Sequence, residues 1–198
     1  MKRALYGSLR LRAAILALLS GCLPGAAPEK PARADARSSA QEYFSDVILV
    51  NQHGEKLRFY SDLLKGKVVV INSFFATCTT VCPPMNHKLT QIQEALGDKL
   101  GKDVLILSLT VDPLNDTPPR LKEYAERYHA KPGWHFLTGK KENVDWALYK
   151  LGQYVEAKDD HSILFIMGNE PKEVWKKVLS TARTEELIRI LQEVLNAR

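Results

Sequence analysis

Cysteine is scarce in this sequence, with three residues among 198. Cys22 lies near the N-terminus, so Cys78 and Cys82 are the two thiols that remain for the body of the chain. A structural zinc site usually takes four protein ligands. The shortage of thiols therefore argues against a zinc finger. It leaves two chemical uses for the pair, a reversible disulfide or the binding of a soft metal ion.

The N-terminal region lacks an apolar run long enough to span a bilayer, since residues 13–19 form only a short hydrophobic stretch. This stretch follows a basic segment and precedes Leu19-Ser-Gly-Cys22. The pattern predicts a bacterial lipoprotein signal peptide over residues 1–21, with Cys22 as the lipidated first residue. An ordinary secretory signal is the alternative. Both predict export; the first also predicts a membrane-anchored domain, in the periplasm or on the outer face of the cytoplasmic membrane.

Excess charge is also missing from the body of the chain. The sequence holds 28 Lys and Arg against 23 Asp and Glu, and residues 1–21 contain four of the basic residues and no acidic one. No basic stripe remains, which argues against a nucleic-acid partner. Residues 22–42 are rich in Ala, Pro, Arg and Ser without periodicity, which predicts a flexible tether before a domain at 43–198.

The stretch from Val68 to Met85 carries the chemistry that the sequence offers. It begins as a β-branched and aromatic run, typical of a buried central strand, and passes through Cys78 and Cys82 into a helical pattern over Met85–Leu96. The partial positive charge at a helix N-terminus lowers the pKa of nearby thiols. The sequence thus predicts two close, reactive thiols where a strand passes into a helix.

The remaining pattern predicts an α/β domain with a mixed central sheet flanked by helices and an N-terminal β-hairpin around residues 47–59. Further buried strands are expected at 104–111 and 162–167, and helices at 118–128, 142–151 and 184–194. A flavodoxin-like fold would need phosphate-binding turns after its strands, and none is evident. The cysteine pair after the first buried strand favours a thioredoxin-like fold instead.

Four stretches carry a resemblance to a known family. They are Cys78-Thr-Thr-Val-Cys82-Pro83, Val111-Asp-Pro-Leu-Asn-Asp-Thr-Pro118, Phe136-Leu-Thr-Gly139 and Asp160-His-Ser162. Together they resemble the Sco/SenC family, the thioredoxin-fold copper chaperones linked to cytochrome c oxidase assembly. The resemblance implies copper as the cofactor, as Cu(I) or Cu(II), with Cys78, Cys82 and His161 as ligands. Asp160 could orient the imidazole by a hydrogen bond without binding the metal itself. The chain departs from many family members at Thr79, where they have proline.

Three functions remain open at this stage. The first is a metallochaperone that passes copper to a respiratory oxidase subunit or another copper carrier, with a thiol reductant protein as a second partner. The second is an exported thiol–disulfide oxidoreductase that uses a Cys78–Cys82 disulfide, and the third is a module that only senses redox state or copper. The CxxxC spacing and the absence of proline from residues 156–161 favour copper over a conventional enzyme. His53, His87, His129 and His135 are not expected to be ligands.

Overall fold

The chain forms one seven-stranded mixed sheet with helices on both faces, in a computed structural model that describes residues 34–197. The strand order is β2-β1-β5-β4-β3-β6-β7. The strands are β1 Ile48–Val50, β2 Lys56–Arg58, β3 Val68–Phe74, β4 Val104–Thr110, β5 Trp134–Gly139, β6 Leu164–Asn169 and β7 Val174–Leu179. The helices are α1 Ala34–Phe44, α2 Cys82–Leu96, α3 Pro118–Arg127, α4 Lys141–Leu151 and α5 Thr184–Leu195. The predicted α/β class, mixed sheet and N-terminal hairpin are confirmed.

The centre of the sheet is the strand β3, which is buried along its whole length. It pairs in parallel with β4, from Val68 opposite Val104 to Phe74 opposite Thr110. On its other side it pairs antiparallel with β6. Since β6 runs against β3, the residues that precede β6 lie at the carboxyl end of β3. This pairing decides which distant residues can reach the cysteine loop.

Two apolar cores lie on the two faces of the sheet. One packs α2, α3 and α5 against alternate residues of the central strands, such as Val70 and Ile106. The other packs α4 and the six-residue π-helix Phe59–Leu64 against the intervening residues of the same strands, such as Val69 and Ile71. Burial on both faces explains why β3 and β4 read as continuous apolar runs rather than as alternating patterns.

The helix α1 replaces part of the predicted tether. Residues 34–44 include three alanines as well as Gln and Glu, which are good helix formers. Near its end, Phe44 packs against Phe59 and Trp175, with ring centroids 6.0 and 5.5 Å apart. Residues 34–42, which the sequence pattern assigned to the tether, are therefore helical here, and Ala40 packs against the core on this face of the sheet. The signal peptide, Cys22 and the rest of the tether fall outside the described residues.

The helix α2 begins three residues earlier than the sequence pattern indicated. It starts at Cys82, with Val81 as its N-cap and the two prolines in the first turn. Proline is tolerated there because the first backbone N–H groups of a helix have no intrahelical partner. Cys82 is thus a helical residue, whereas Cys78 stays in the preceding loop.

Candidate metal centre

The cysteine loop leaves the carboxyl end of the central strand. Phe75 continues β3 into the core and is 6% exposed. A turn follows in which the Cys78 N–H donates to the Phe75 carbonyl at 3.0 Å. Residues 76–81 then lead directly into α2 at Cys82. Both thiols are consequently held between the buried end of a strand and the first turn of a helix.

Cys78 and Cys82 face each other as free thiols. The Cys82 backbone N–H donates to Cys78 Sγ at 3.4 Å, which is within the range of hydrogen bonds to sulfur. Both side chains are buried, Cys82 more completely than Cys78 (1% against 8% exposed). Cys78 is therefore the thiol that an incoming molecule would meet first.

His161 reaches the same point from 79 residues further along the chain. It follows a 3₁₀ turn at Lys158–Asp160 and precedes β6, whose antiparallel pairing with β3 places it beside the cysteine loop. Its Nε2 lies 3.3 Å from Cys82 Sγ. The ligand atoms of Cys78, Cys82 and His161 all lie within 4.8 Å of one another. Within residues 34–197 this is the one group of three His, Cys, Asp or Glu side chains so arranged.

A backbone carbonyl fixes the tautomer of the imidazole. His161 Nδ1 lies 3.0 Å from the Lys158 carbonyl oxygen. Because a carbonyl can only accept, we assign the proton to Nδ1, which leaves the lone pair of Nε2 facing the sulfur of Cys82. Asp160, the predicted orienting residue, is exposed. The 3₁₀ turn directs the carbonyl of Lys158 at the ring, so the backbone and not Asp160 makes the orienting hydrogen bond.

The surroundings give the three groups different proton affinities. Burial would raise the pKa of Cys78, but hydrogen bonds from the Cys82 thiol and from backbone N–H groups of the loop outweigh it and hold that pKa below its usual value. Burial, and to a smaller extent the hydrogen bond with Cys78, raises the pKa of Cys82 well above that of an ordinary thiol. Burial also lowers the pKa of His161, which keeps the imidazole neutral. Cys78 is thus activated as a thiolate. Cys82 stays protonated until a nearby positive charge compensates the charge that its thiolate would carry.

Asp116 supports the cysteine loop through two hydrogen bonds of its carboxyl group. It is 1% exposed, accepts from the Ala76 N–H at 3.1 Å and from the Thr110 hydroxyl at 2.5 Å. Burial raises its pKa despite both hydrogen bonds. The spacing of Asp112 and Asp116 after a buried strand is typical of a structured turn. Nothing in the sequence predicts that one of the two carboxyl groups is buried in the core.

Lys158 connects the histidine loop to the loop after β4. Its Nζ lies 2.8 Å from an Asp112 carboxylate oxygen and 5.2 Å from the centroid of the Phe75 ring. Its backbone carbonyl is the one that accepts from His161. The same residue therefore orients the imidazole through its main chain and fastens the loop through its side chain. No sequence motif singles it out, since the pairing depends on two loops that meet only in the fold.

The other four histidines lie outside this group. His53, His129 and His135 line a separate cavity of about 700 Å³, together with parts of α3 and β5. His87, on the exposed side of α2, contacts Tyr128 edge-on at 5.6 Å. Met85, one turn along α2, is 2% exposed and belongs to the apolar core.

Comparison with known proteins places the chain in a family. A family model described as SCO1/SenC matches residues 35–196. The chain belongs to the SCO1/SenC family. The SCO1 protein homolog of Bacillus subtilis is 41% identical over 90 residues, 45% of either chain. A SCO2-like protein of Rickettsia conorii is 36% identical over 119 residues, 59% of this chain and 56% of the relative. The chain thus spans about half the length of the curated relatives it matches.

Solved structures of family members share the fold. A SCO1/SenC family lipoprotein from Bacillus anthracis is 26% identical, with a TM-score of 0.64 over 75% of this chain and 92% of that one. BsSco, a Sco family member for which a disulfide switch has been identified, is 29% identical, with a TM-score of 0.62 over 76% and 92%. ScoI of Bradyrhizobium japonicum with copper bound, 24% identical with a TM-score of 0.62 over 75% and 96%, supports the fold alone. The predicted thioredoxin-like Sco fold is confirmed.

Proposed function

We propose that this chain is a copper chaperone that holds one copper ion between Cys78, Cys82 and His161. The observation that carries the proposal is the meeting of two thiols and a neutral imidazole within 4.8 Å at the end of the central strand. Cu(I) prefers soft thiolate and imidazole ligands, and three donors satisfy it where structural zinc would take a fourth. Membership of the SCO1/SenC family, for which the sequence resemblance implied copper, supports the same assignment.

Loading requires the reduced pair, since thiolates and not disulfide sulfurs ligate copper. Cys78, with its lowered pKa, supplies the first thiolate. Cys82 gives up its proton as the cation arrives, because the positive charge compensates the buried thiolate. Nε2 of His161 binds through its lone pair while Nδ1 keeps its hydrogen bond to the Lys158 carbonyl. An acceptor ligand would displace Cys78 first, since Cys78 is the more exposed of the two thiols.

The copper is delivered, in this proposal, to a copper site of a respiratory oxidase subunit or to another copper carrier, and a thiol reductant protein restores the dithiol. The domain is exported and held at the membrane through a lipid on Cys22. The lipobox pattern supports this anchor, as does the relative from Bacillus anthracis described as a lipoprotein. None of the helices between residues 34 and 197 has both the length and the apolar character needed to cross a bilayer.

A thiol–disulfide oxidoreductase is the second candidate. It is favoured by the unequal thiols, since Cys78 has a lowered pKa and Cys82 a raised one. Such a pair suits an attacking thiolate and a resolving thiol. The two functions share the cysteines but differ in their need for the histidine.

The substitution His161→Ala separates the two. Loss of an outer partner of a metal ligand typically costs 10- to 100-fold in affinity, so loss of a ligand should weaken Cu(I) binding by at least about that factor. Disulfide formation and reduction between Cys78 and Cys82 should persist. Competition with a Cu(I) chelator and a thiol-exchange assay on the same sample measure both.

The matched control is His87→Ala, which removes an exposed histidine from α2 outside the group. It should leave both properties unchanged. Unchanged copper affinity in His161→Ala, together with impaired exchange, would make the oxidoreductase the better description.

A further inference from the structure

Exposed aromatic side chains gather where α1 and α4 meet. Tyr43 is 52% exposed, Trp146 41% and Tyr149 66%. Tyr43 Oη donates to the Lys150 carbonyl at 3.1 Å, and the Trp146 indole N–H donates to Ser45 Oγ at 2.8 Å. These hydrogen bonds fix the rings of Tyr43 and Trp146 at the surface. Large aromatic rings usually bury much of their area, so their exposure here is notable.

Lysines accompany these rings. The Lys150 ammonium lies 4.6 Å from the centroid of the Tyr43 ring and 4.5 Å from that of Trp146. Beside them opens a groove of about 610 Å³ that Tyr43, Tyr149 and Trp175 help to line. Lys150 and Lys177 are the charged side chains among the described residues that line this groove. The surface is therefore aromatic and cationic together.

We propose that this surface, the α1–α4 face of Tyr43, Trp146, Tyr149, Lys150 and Lys177, docks on an anionic phospholipid bilayer. Tyrosine and tryptophan favour the boundary between headgroups and acyl chains, because their rings are apolar and their tips polar. Lysines beside them are attracted to anionic headgroups. A groove with cationic and no acidic lining residues among those described complements such a surface by charge.

The position of α1 in the chain supports a lipid surface as the occupant; this step rests on the proposed anchor at Cys22. Residues 23–33 separate Cys22 from the start of α1 at Ala34. Twelve peptide steps can span at most about 40 Å. A lipid on Cys22 would thus confine α1, which carries Tyr43, to a short distance from the bilayer.

Docking through this face would leave the metal centre turned away from the lipid. Trp175 pairs with Gly168, which pairs with Val69 near the start of β3. The cysteine loop follows the other end of β3. Cys78 and Cys82 also belong to the core on one face of the sheet, whereas α4 packs against the other face. The copper ligands would remain accessible to an acceptor while the domain is docked.

The test uses the full chain, purified from membranes and reconstituted in vesicles of phosphatidylcholine and phosphatidylglycerol with brominated acyl chains. Bromine quenches the fluorescence of a tryptophan that enters the boundary region. The contribution of Trp146 is the difference in quenching between the original chain and Trp146→Phe. We expect quenching in anionic vesicles. The double variant Lys150→Ala/Lys177→Ala should lower the ratio of docked to undocked chain about tenfold or more.

The matched control Lys99→Ala/Lys122→Ala removes two exposed lysines from the opposite side of the sheet and should keep full quenching. Equal losses in both double variants would overturn the α1–α4 face as the docking site. Cosedimentation without quenching of Trp146 would overturn docking while leaving the anchor intact, and loss of cosedimentation would overturn both. Copper titration of the same samples reports the proposed function independently.

Discussion

The two thiols of the metal centre differ although only three residues separate them. Cys78 lies in the loop and receives hydrogen bonds from the backbone and from Cys82, whereas Cys82 opens α2 and is almost fully buried. The N-terminus of a helix stabilises a thiolate placed against it, and here that thiolate belongs to the preceding loop. The asymmetry suits ordered copper binding as well as ordered thiol exchange.

This asymmetry predicts selective alkylation. At neutral pH Cys78 should react with iodoacetamide at least about tenfold faster than Cys82, because only the thiolate attacks and its fraction changes tenfold per pKa unit. Peptide mapping by mass spectrometry measures both rates. In Cys82→Ala the thiol donor to Cys78 is lost, so the pH profile for Cys78 should move to higher pH. Cys82→Ser keeps a donor and should move less; equal rates at both cysteines would contradict the assignment.

Asp116 predicts a pH dependence of stability. Burial raises its pKa in the folded protein, so its contribution to stability is complete below the usual carboxyl pKa and is lost as pH rises through the raised value. Asp116→Asn keeps an acceptor but cannot ionise. The variant should therefore gain stability relative to the original chain as pH rises through this window, as measured by urea unfolding at several pH values.

Asp112 is the control for this experiment. Burial works against its ionised form, but hydrogen bonds from Lys158 and Asn115 hold its pKa below the usual value. Its contribution is present above the usual carboxyl pKa and is lost as pH falls through the lowered one. Asp112→Asn should thus differ most from the original chain at neutral pH. Difference curves of the same sign for both variants would refute the burial of the Asp116 charge.

At the scale of elements, strands were easier to predict than the ends of helices. The β-branched runs of β3 and β4 identify buried strands because both faces of the sheet are covered. Pro83 and Pro84 obscured the start of α2, since proline both ends helices and opens them. The helix α1 was missed because its stability depends on Phe44 packing against a distant strand. Elements held by local pattern were predictable, and those held by distant contacts were not.

An ion pair between Lys158 and Asp112 helps to hold the loop that carries His161. Lys158→Met should remove the contact with Asp112 and free the loop, which weakens Cu(I) binding by up to about tenfold through a less well-oriented imidazole. Lys158→Arg should restore most of the affinity. The measurement is chelator competition, with thiol-exchange rates as the second readout.

The control for this variant is Lys131→Met, which breaks an exposed ion pair of similar length with Glu94, outside the group of Cys78, Cys82 and His161. Its copper affinity should be unchanged. If Lys158→Met and Lys131→Met bind copper equally well, the ion pair does not position the histidine.

At the scale of the whole molecule, the assembly of the proposed copper ligands depends on strand order. The sequence supplies Cys78 and Cys82 as neighbours, and the family resemblance adds His161. Only the antiparallel pairing of β6 with β3, such as Ile166 opposite Ile71, explains why the start of β6 meets the end of β3. The orienting role of the Lys158 carbonyl could not be predicted either, because the carbonyl belongs to a backbone turn and every residue type offers one.

The proposed anchor at Cys22 gives the last prediction. Cys22→Ala removes the lipid acceptor, so the chain should leave the membrane fraction and be recovered in the soluble exported fraction. Copper binding should persist, because the ligands and both cores lie within residues 34–197. Fractionation of expressing cells and metabolic labelling with a fatty acid measure the change. Pro24→Ala, which alters the neighbouring sequence but keeps Cys22, should remain labelled and membrane-bound. Retention of the unlabelled Cys22→Ala chain at the membrane would place the anchor elsewhere, and loss of copper binding on release would show that the domain needs its membrane to keep the site formed.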